Sequence, residues 1–272
     1  MGPALFFDIG MGHHVPMLML RSAAFNLLFY LSTLMLMIVG LPTLIVGRSA
    51  ILRLARLWSH VQLWLLDKIC GLGVEFRGVE NIPSGGCIVA AKHQSVWETF
   101  ALLIFFDNFS YILKRELTFI PVFGWYLGRS GQIAINRSDR RNALTQASEG
   151  ARKLLEQGGQ VLIFPEGTRR PVDAPPVYRF GVARIYSECG VPCLPVALNS
   201  GLFWPRRSFV RRPGTVLVEF LAPIPPGLGK EEFFAQLQSR LEAATESLIA
   251  ESIERDPQLV QALQPAESAT TA

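Results

Sequence analysis

The chain predicts an α/β fold, with a central sheet of about seven strands flanked by helices behind a hydrophobic N-terminal region. Three observations carry this. Short apolar or alternating runs recur from residue 74, helical stretches fall between several of them, and residues 23–47 contain no charged side chain. Strands that alternate with helices build a sheet covered on both faces.

The expected strands are 74–77, 87–91, 111–114, 132–135, 160–164, 193–199 and 215–220. Helices are expected at about 95–106, 139–157 and 180–189, the second stopping at Gly158-Gly159 because glycine favours the helix terminus. Residues 230–254 read as an amphipathic helix with Phe233, Phe234, Leu237, Leu241, Leu248 and Ile249 on one face. After Asp256-Pro257 the sequence turns polar and Ala/Thr-rich, a composition that predicts disorder over 256–272. The organisation is thus a membrane-anchoring helical region over 1–70, a catalytic domain over 71–255 and a tail.

The uncharged run 23–47 would be about 37 Å long as a helix, against a hydrocarbon core of about 30 Å. Pro42 is expected to kink or end it. The run is too long for a cleaved signal, and Asp8 precedes it. In 49–67, Arg53, Arg56, His60 and Asp67 form a narrow polar stripe on an otherwise apolar helix. That helix either lies in the membrane interface, with Trp58 and Trp64 at headgroup level, or packs on the catalytic domain. Arg48, Arg53 and Arg56 follow the apolar run and only Arg21 precedes it, which predicts a membrane protein with its catalytic domain on the cytoplasmic side.

The 272 residues fit one large α/β domain plus an appendage. Half are hydrophobic, 18% are charged, and the net charge is +4. A basic chain suits anionic lipid or nucleic acid. Zinc-finger spacing and RNP-like aromatics are both missing, so nucleic acid is not an expected partner. Cys70, Cys87, Cys189 and Cys193 form no CxxC pair and read as reduced thiols. His13, His14 and His60 are given no role, and no metal or nucleotide cofactor is expected. Arg206-Arg207 and Arg211-Arg212 flank a short loop that either meets lipid headgroups or is simply solvated.

Four stretches carry chemistry. Lys92-His93-Gln94-Ser95-Val96-Trp97-Glu98 leaves a strand directly. Histidine ordinarily titrates near 6.5, suited to proton transfer at neutrality, and a carboxylate on one ring nitrogen would fix its tautomer. On one continuous helix His93 and Glu98 would lie roughly 140° apart. His93 is therefore expected in a turn, with Glu98 in the first turn of the following helix. The second stretch runs from Lys114 past Pro121, Gly124 and Gly128 to Arg137, which it delivers to a strand end. The third is Phe164-Pro165-Glu166-Gly167-Thr168-Arg169. Gly167 permits close backbone approach, Arg169 can grip a phosphate, and Glu166 can accept from a polyol hydroxyl. The fourth, Val191-Pro192 to Ser200 with Pro195 inside it, reads by itself as a buried strand.

In this order the four stretches, spread over about residues 74–220, resemble the signature blocks of the 1-acyl-sn-glycerol-3-phosphate acyltransferase family. The resemblance implies a mixed, glycerolphosphate acyltransferase-like sheet. It implies that His93 is the base and Glu98 its acidic partner, that Lys114, Arg137, Glu166, Gly167, Thr168 and Arg169 bind the glycerol phosphate, and that Pro195 lies on the acyl side. The partners it implies are lysophosphatidate and an acyl donor, either acyl-CoA or acyl-acyl carrier protein. Other lyso-lipids, such as a lyso-ornithine lipid, are alternative acceptors, and a non-catalytic membrane scaffold is an alternative of another class. The family usually carries Asp where this chain has Glu98. A nucleophile elbow, a catalytic-Cys signature and an H-E-x-x-H motif are all missing, which fits direct transfer to a hydroxyl.

Overall fold

A computed structural model describes residues 11–136 and 138–263. The seven strands are β1 (Leu72–Arg77), β2 (Cys87–Ala91), β3 (Phe109–Lys114), β4 (Ile133–Ile135), β5 (Gln160–Ile163), β6 (Cys193–Leu198) and β7 (Gly214–Phe220). They form one sheet in the order β1-β7-β6-β2-β5-β3-β4. All neighbours run parallel except β6 and β7, so the sheet is mixed.

The strands at the middle of the sheet are buried on both sides, which is why they read as continuous apolar runs. In β2, Cys87, Val89 and Ala91 join one core, whereas Ile88 and Ala90 join the other. This alternation is the period of two that separates the faces of a strand.

The helices follow in chain order. α1 (Met11–Val39) and the short α2 (Thr43–Val46) precede α3 (Arg48–Leu65), which runs on through a π-helical turn, Leu66–Cys70. α1 is long and apolar enough to cross a membrane, and 11% of its most apolar window is buried by protein. It ends at Val39, just before Gly40 and Pro42, close to the proline where a kink or an end was expected. Proline cannot donate the next helical bond. A Cβ at Gly40 would lie 3.1 Å from the Tyr126 hydroxyl and closer still to Leu54 and the Leu36 carbonyl, so only glycine fits there. α3 packs on both α1 and the domain. Trp58 donates to Thr33 Oγ1 at 2.9 Å, and the buried Gln62 donates to Ser32 Oγ at 3.0 Å. Trp58 is thus tied to α1, while Trp64 stays exposed.

α4 (Glu98–Ala101) is a single turn continued by a 3-10 turn, Leu102–Phe105. The expected helix over 95–106 does not start until Glu98, because the Glu98 carboxylate folds back to bind the preceding amides. α5 (Phe123–Arg129) lies in the β3–β4 connection. α6 (Arg140–Leu155) starts at Asp139, whose side chain accepts from the Asn142 amide at 3.2 Å. It stops at Leu155, and the turn after it passes through Gly158, whose φ of +73° suits glycine. α7 (Gly181–Cys189) and α8 (Lys230–Arg255) complete the set.

α1, α3 and α4 cover one face of the sheet, and α6, α7 and α8 cover the other. The disorder expected from 256 onward does not begin there. Asp256 caps a 3-10 turn, Pro257–Ala262, and Leu259 is buried in the first core. Burial of one apolar side chain contributes about 1.5–3 kcal/mol, enough to hold a short turn down. Arg211, expected on a solvated or lipid-facing loop, is also buried. Its guanidinium lies 4.2 Å from the Trp204 ring and 5.3 Å from that of Phe25, and its amide donates to Ser22 Oγ at 2.9 Å. It therefore clamps α1 to the domain. Arg206 and Arg207 are exposed.

Candidate active site

The parallel register of the sheet places two of the four stretches side by side. Ala90 of β2 pairs with Ile163 of β5, so His93 and Glu166, each three residues further on, leave adjacent strand ends together. On the other flank Ala91 pairs with Val196 of β6, which brings Asn199 and Ser200 to the same edge. Lys114 ends β3, the strand beyond β5. Carboxyl ends of neighbouring parallel strands are where α/β sheets ordinarily build their sites.

Glu98 is fully buried. Its Oε1 accepts from the amides of Gln94 and Ser95 at 2.7 Å each and meets His93 Nδ1 at 2.9 Å. Its Oε2 accepts from Ser200 Oγ at 2.7 Å. Because Oε1 already accepts from two N–H donors, Nδ1 joins them as a third donor and carries the proton. That assigns the tautomer and leaves Nε2 as the basic nitrogen. Among the described residues Nε2 has no hydrogen-bond partner. The imidazole stacks on Phe164 with centroids 4.0 Å apart and planes 13° apart. Phe164 in turn stacks on Tyr111 at 5.8 Å.

The main chain of His93 is held as firmly as its ring. Its N–H donates to Glu166 Oε2 at 2.7 Å, and its carbonyl accepts from the Arg170 amide at 2.7 Å. Three consecutive amides, from His93 to Ser95, are thus each bound by a carboxylate. They are spent on holding the turn and cannot also receive an oxyanion. Glu166 Oε1 accepts from Lys92 Nζ at 2.8 Å, and the same ammonium donates to Glu242 Oε1 of α8 at 2.8 Å. Tyr178 donates to that Glu242 oxygen at 2.6 Å. Burial raises the Glu166 pKa, opposed by Lys92 and by the His93 amide.

Glu166, expected to meet a polyol hydroxyl, is instead buried behind His93 with both oxygens engaged. It positions the turn. Gly167 has φ +70°, and a Cβ there would come 3.3 Å from Arg179 Cγ. Thr168 and Lys114 are exposed, and Arg169 is half-buried with its carbonyl accepting from Arg206 at 3.2 Å. Pro195 is buried in β6. Its missing N–H falls where the ladder to β7 ends, and its carbonyl accepts from Leu221 at 3.0 Å. Arg137 lies outside the described residues.

Lys92, Ser200, Tyr178 and Glu242 carried no expected role. Lys92 and Ser200 sat inside quoted stretches, one beside His93 and one just past β6. Tyr178 and Glu242 gave no signal, because nothing local to a helix or loop announces a partner at the far end of the sheet.

Glu98→Gln tests the tautomer assignment. The amides of Gln94 and Ser95 force the glutamine oxygen toward them, so the variant keeps the acceptor for Nδ1–H while losing the charge. Its kcat should fall by less than the about 10²–10⁴ that a lost general base costs. A loss as large as that of His93→Ala would mean the amide had flipped and the tautomer with it.

Known proteins show which family the chain is similar to. The family model described as Acyltransferase matches residues 73–199. A 1-acyl-sn-glycerol-3-phosphate acyltransferase of Pseudomonas aeruginosa is 40% identical over 195 residues, covering 71% of this chain and 76% of that protein. One of Saccharomyces cerevisiae is 30% identical over 175 residues, covering 62% of this chain and 56% of the yeast protein. The crystal structure of the 1-acyl-sn-glycerophosphate (LPA) acyltransferase from Thermotoga maritima shares the fold, with a TM-score of 0.67, 24% identity, and coverage of 85% of this chain and 94% of that one. The matched span contains the His93–Glu98 pair, the Glu166–Arg169 turn and Pro195. The chain belongs to the 1-acyl-sn-glycerol-3-phosphate acyltransferase family and is a membrane-associated O-acyltransferase.

Proposed function

We propose that the chain transfers an acyl group from an acyl thioester to the sn-2 hydroxyl of 1-acyl-sn-glycerol-3-phosphate, giving phosphatidate. The observation that carries this is the His93 imidazole, whose Nδ1 is held by Glu98 while Nε2 stays available. His93 Nε2 takes the hydroxyl proton as the oxygen attacks the thioester carbonyl. The tetrahedral intermediate then collapses, the C–S bond breaks, and the imidazolium returns its proton to the leaving thiolate. Glu98 stabilises that imidazolium. Lys114, Thr168 and Arg169, with Arg137, would hold the phosphate, Arg169 being able to grip it bidentately. The thioester is already activated, so the scheme uses no metal and no cofactor besides the acyl donor.

The contacts of Ser22, Phe25 and Met37 seat the domain against α1. That supports a site opening at the bilayer surface, on the cytoplasmic side by the distribution of Arg48, Arg53 and Arg56. The test is purified protein in lipid nanodiscs, offered lysophosphatidate, a lyso-ornithine lipid or lysophosphatidylcholine, with acyl-CoA or acyl-acyl carrier protein. Phosphatidate should form fastest. Faster acylation of another acceptor overturns the acceptor assignment, and no thiol release with any pairing leaves the scaffold reading.

A further inference from the structure

The β3–β4 connection holds an apolar surface that the chemistry above does not use. Leu117, Phe119, Ile120, Phe123 and Trp125 are all exposed, Phe119 by 66% and Trp125 by 59%. Soluble surfaces rarely gather so many large apolar side chains in nine residues. Between Leu117 and Leu127 there is no charged residue. Charges lie only at the flanks, with Lys114, Arg115 and Glu116 before and Arg129 after.

The segment is bolted to the N-terminal helices at several points. Tyr126 donates its hydroxyl to the Met37 carbonyl of α1 at 2.6 Å, through the gap that Gly40 leaves. Arg129 Nε donates to the Leu44 carbonyl of α2 at 3.1 Å. Arg48, at the start of α3, donates to the Ser130 carbonyl and to Phe109 O at 2.8 Å. The apolar surface therefore continues that of α2, where Ile45 is 85% exposed and Val46 73%. At the tip, Val122 has φ +63° and ψ −55°, and the Phe123 amide closes a γ-turn onto the Pro121 carbonyl at 2.7 Å. A β-branched residue adopts that conformation only where its surroundings hold it.

We propose that Leu117–Trp125 is a second lipid-contacting element, which enters the bilayer interface beside α1 and α2. Its occupant is lipid and not another protein, because the surface is continuous with a helix apolar enough to cross a membrane. It also has the composition of an interfacial element: an uncharged apolar centre, an exposed Trp, and basic residues at both ends. With this segment beside α1 and α2, the domain meets lipid through two adjoining elements. The His93 edge of the sheet, where β3 ends at Lys114, is then held facing the leaflet. The inference rests on membrane association and not on the acceptor or donor assigned above.

The test is optical and needs no turnover. In full-length protein with Cys189 replaced by Ser, Phe119→Cys carries an environment-sensitive fluorophore, and Glu149→Cys on the opposite face of the sheet is the control. Each is reconstituted in phosphatidylcholine–phosphatidylglycerol vesicles with and without acyl-chain-brominated lipid. Emission from position 119 should shift to the blue and be mostly quenched by the brominated lipid, whereas position 149 should respond to aqueous iodide alone. Equal behaviour at the two positions overturns the proposal. So does a disulfide forming in high yield between two unlabelled Phe119→Cys chains, which would make this surface a contact between copies. A second measurement covers the loss of packing. Phe119→Ser/Trp125→Ser should still bind vesicles through α1 but show a several-fold higher KM for a vesicle-borne acceptor. An unchanged KM overturns the proposal.

Discussion

His93→Ala should lower kcat for acyl transfer by about 10²–10⁴, the usual contribution of a positioned general base. The variant is informative because the turn does not depend on the imidazole. The His93 N–H still reaches Glu166, its carbonyl still meets the Arg170 amide, and Glu98 keeps its bonds from Gln94, Ser95 and Ser200. Folding and membrane binding should therefore match the parent. The measurement is the initial rate of thiol release with lysophosphatidate, normalised to protein in nanodiscs. Activity within tenfold of the parent would remove His93 from the reaction, and exogenous imidazole restoring part of the loss would place it there chemically.

Lys92→Met should produce the largest loss of stability. It strips the counter-charge from Glu166, which is 2% exposed and keeps only the His93 amide. Breaking a buried ion pair on one side costs about 3–5 kcal/mol, read as a lowered denaturation midpoint in detergent. Lys92→Met/Glu166→Gln should regain much of that, because the fully buried charge is gone and Glu242, which also loses Lys92, is partly exposed and keeps the Tyr178 hydroxyl. A double variant no more stable than the single one would sink the account. The loss should also depend on pH. Burial raises the folded pKa of Glu166 above its unfolded value, so the native state binds the proton first as pH falls. Stability attributable to this group falls as pH rises. In the single variant the deficit is therefore fully developed above the folded pKa and shrinks toward the unfolded value. In the parent, Lys92 opposes the rise and the same window should be much flatter.

The strands were legible from residue types because each is short, apolar and bounded by polar turns. All seven lie within a few residues of their expected places. The strand-end location of His93 and Glu166 was legible for the same reason. What they do to each other was not. The contact depends on which strands are neighbours, and β2 and β5 are separated by some seventy residues of intervening chain. Glu166 reads as a ligand for substrate because its carboxylate can accept from a polyol hydroxyl and the family resemblance implies it. Its burial comes from Lys92 and Glu242 converging from elsewhere. Arg211 is hidden from the sequence for a similar reason. A basic pair in a loop reads as solvated, whereas here a guanidinium lies over the nearby Trp204 and over Phe25, which α1 brings from far away in sequence. The expected start of the helix at 95 failed because side-chain capping by Glu98 outweighed local helix propensity. The Glu98 side chain spans from the start of α4 to two amides and Ser200 at once.

The link from Lys92 to Glu242 has a consequence for how the enzyme is made. α1 precedes α8 in the chain, so it can reach lipid before α8 has been made. Until α8 has been translated and docked, the Lys92 ammonium lacks one of its two carboxylates and Tyr178 lacks its acceptor. The turn that carries His93 is then propped from one side only. A chain already inserted but still unfinished is thus expected to sit on its membrane without competence to acylate, and activity arrives with the last long helix. Contacts between segments this far apart in sequence also form slowly, so the delay is set by docking as well as by translation.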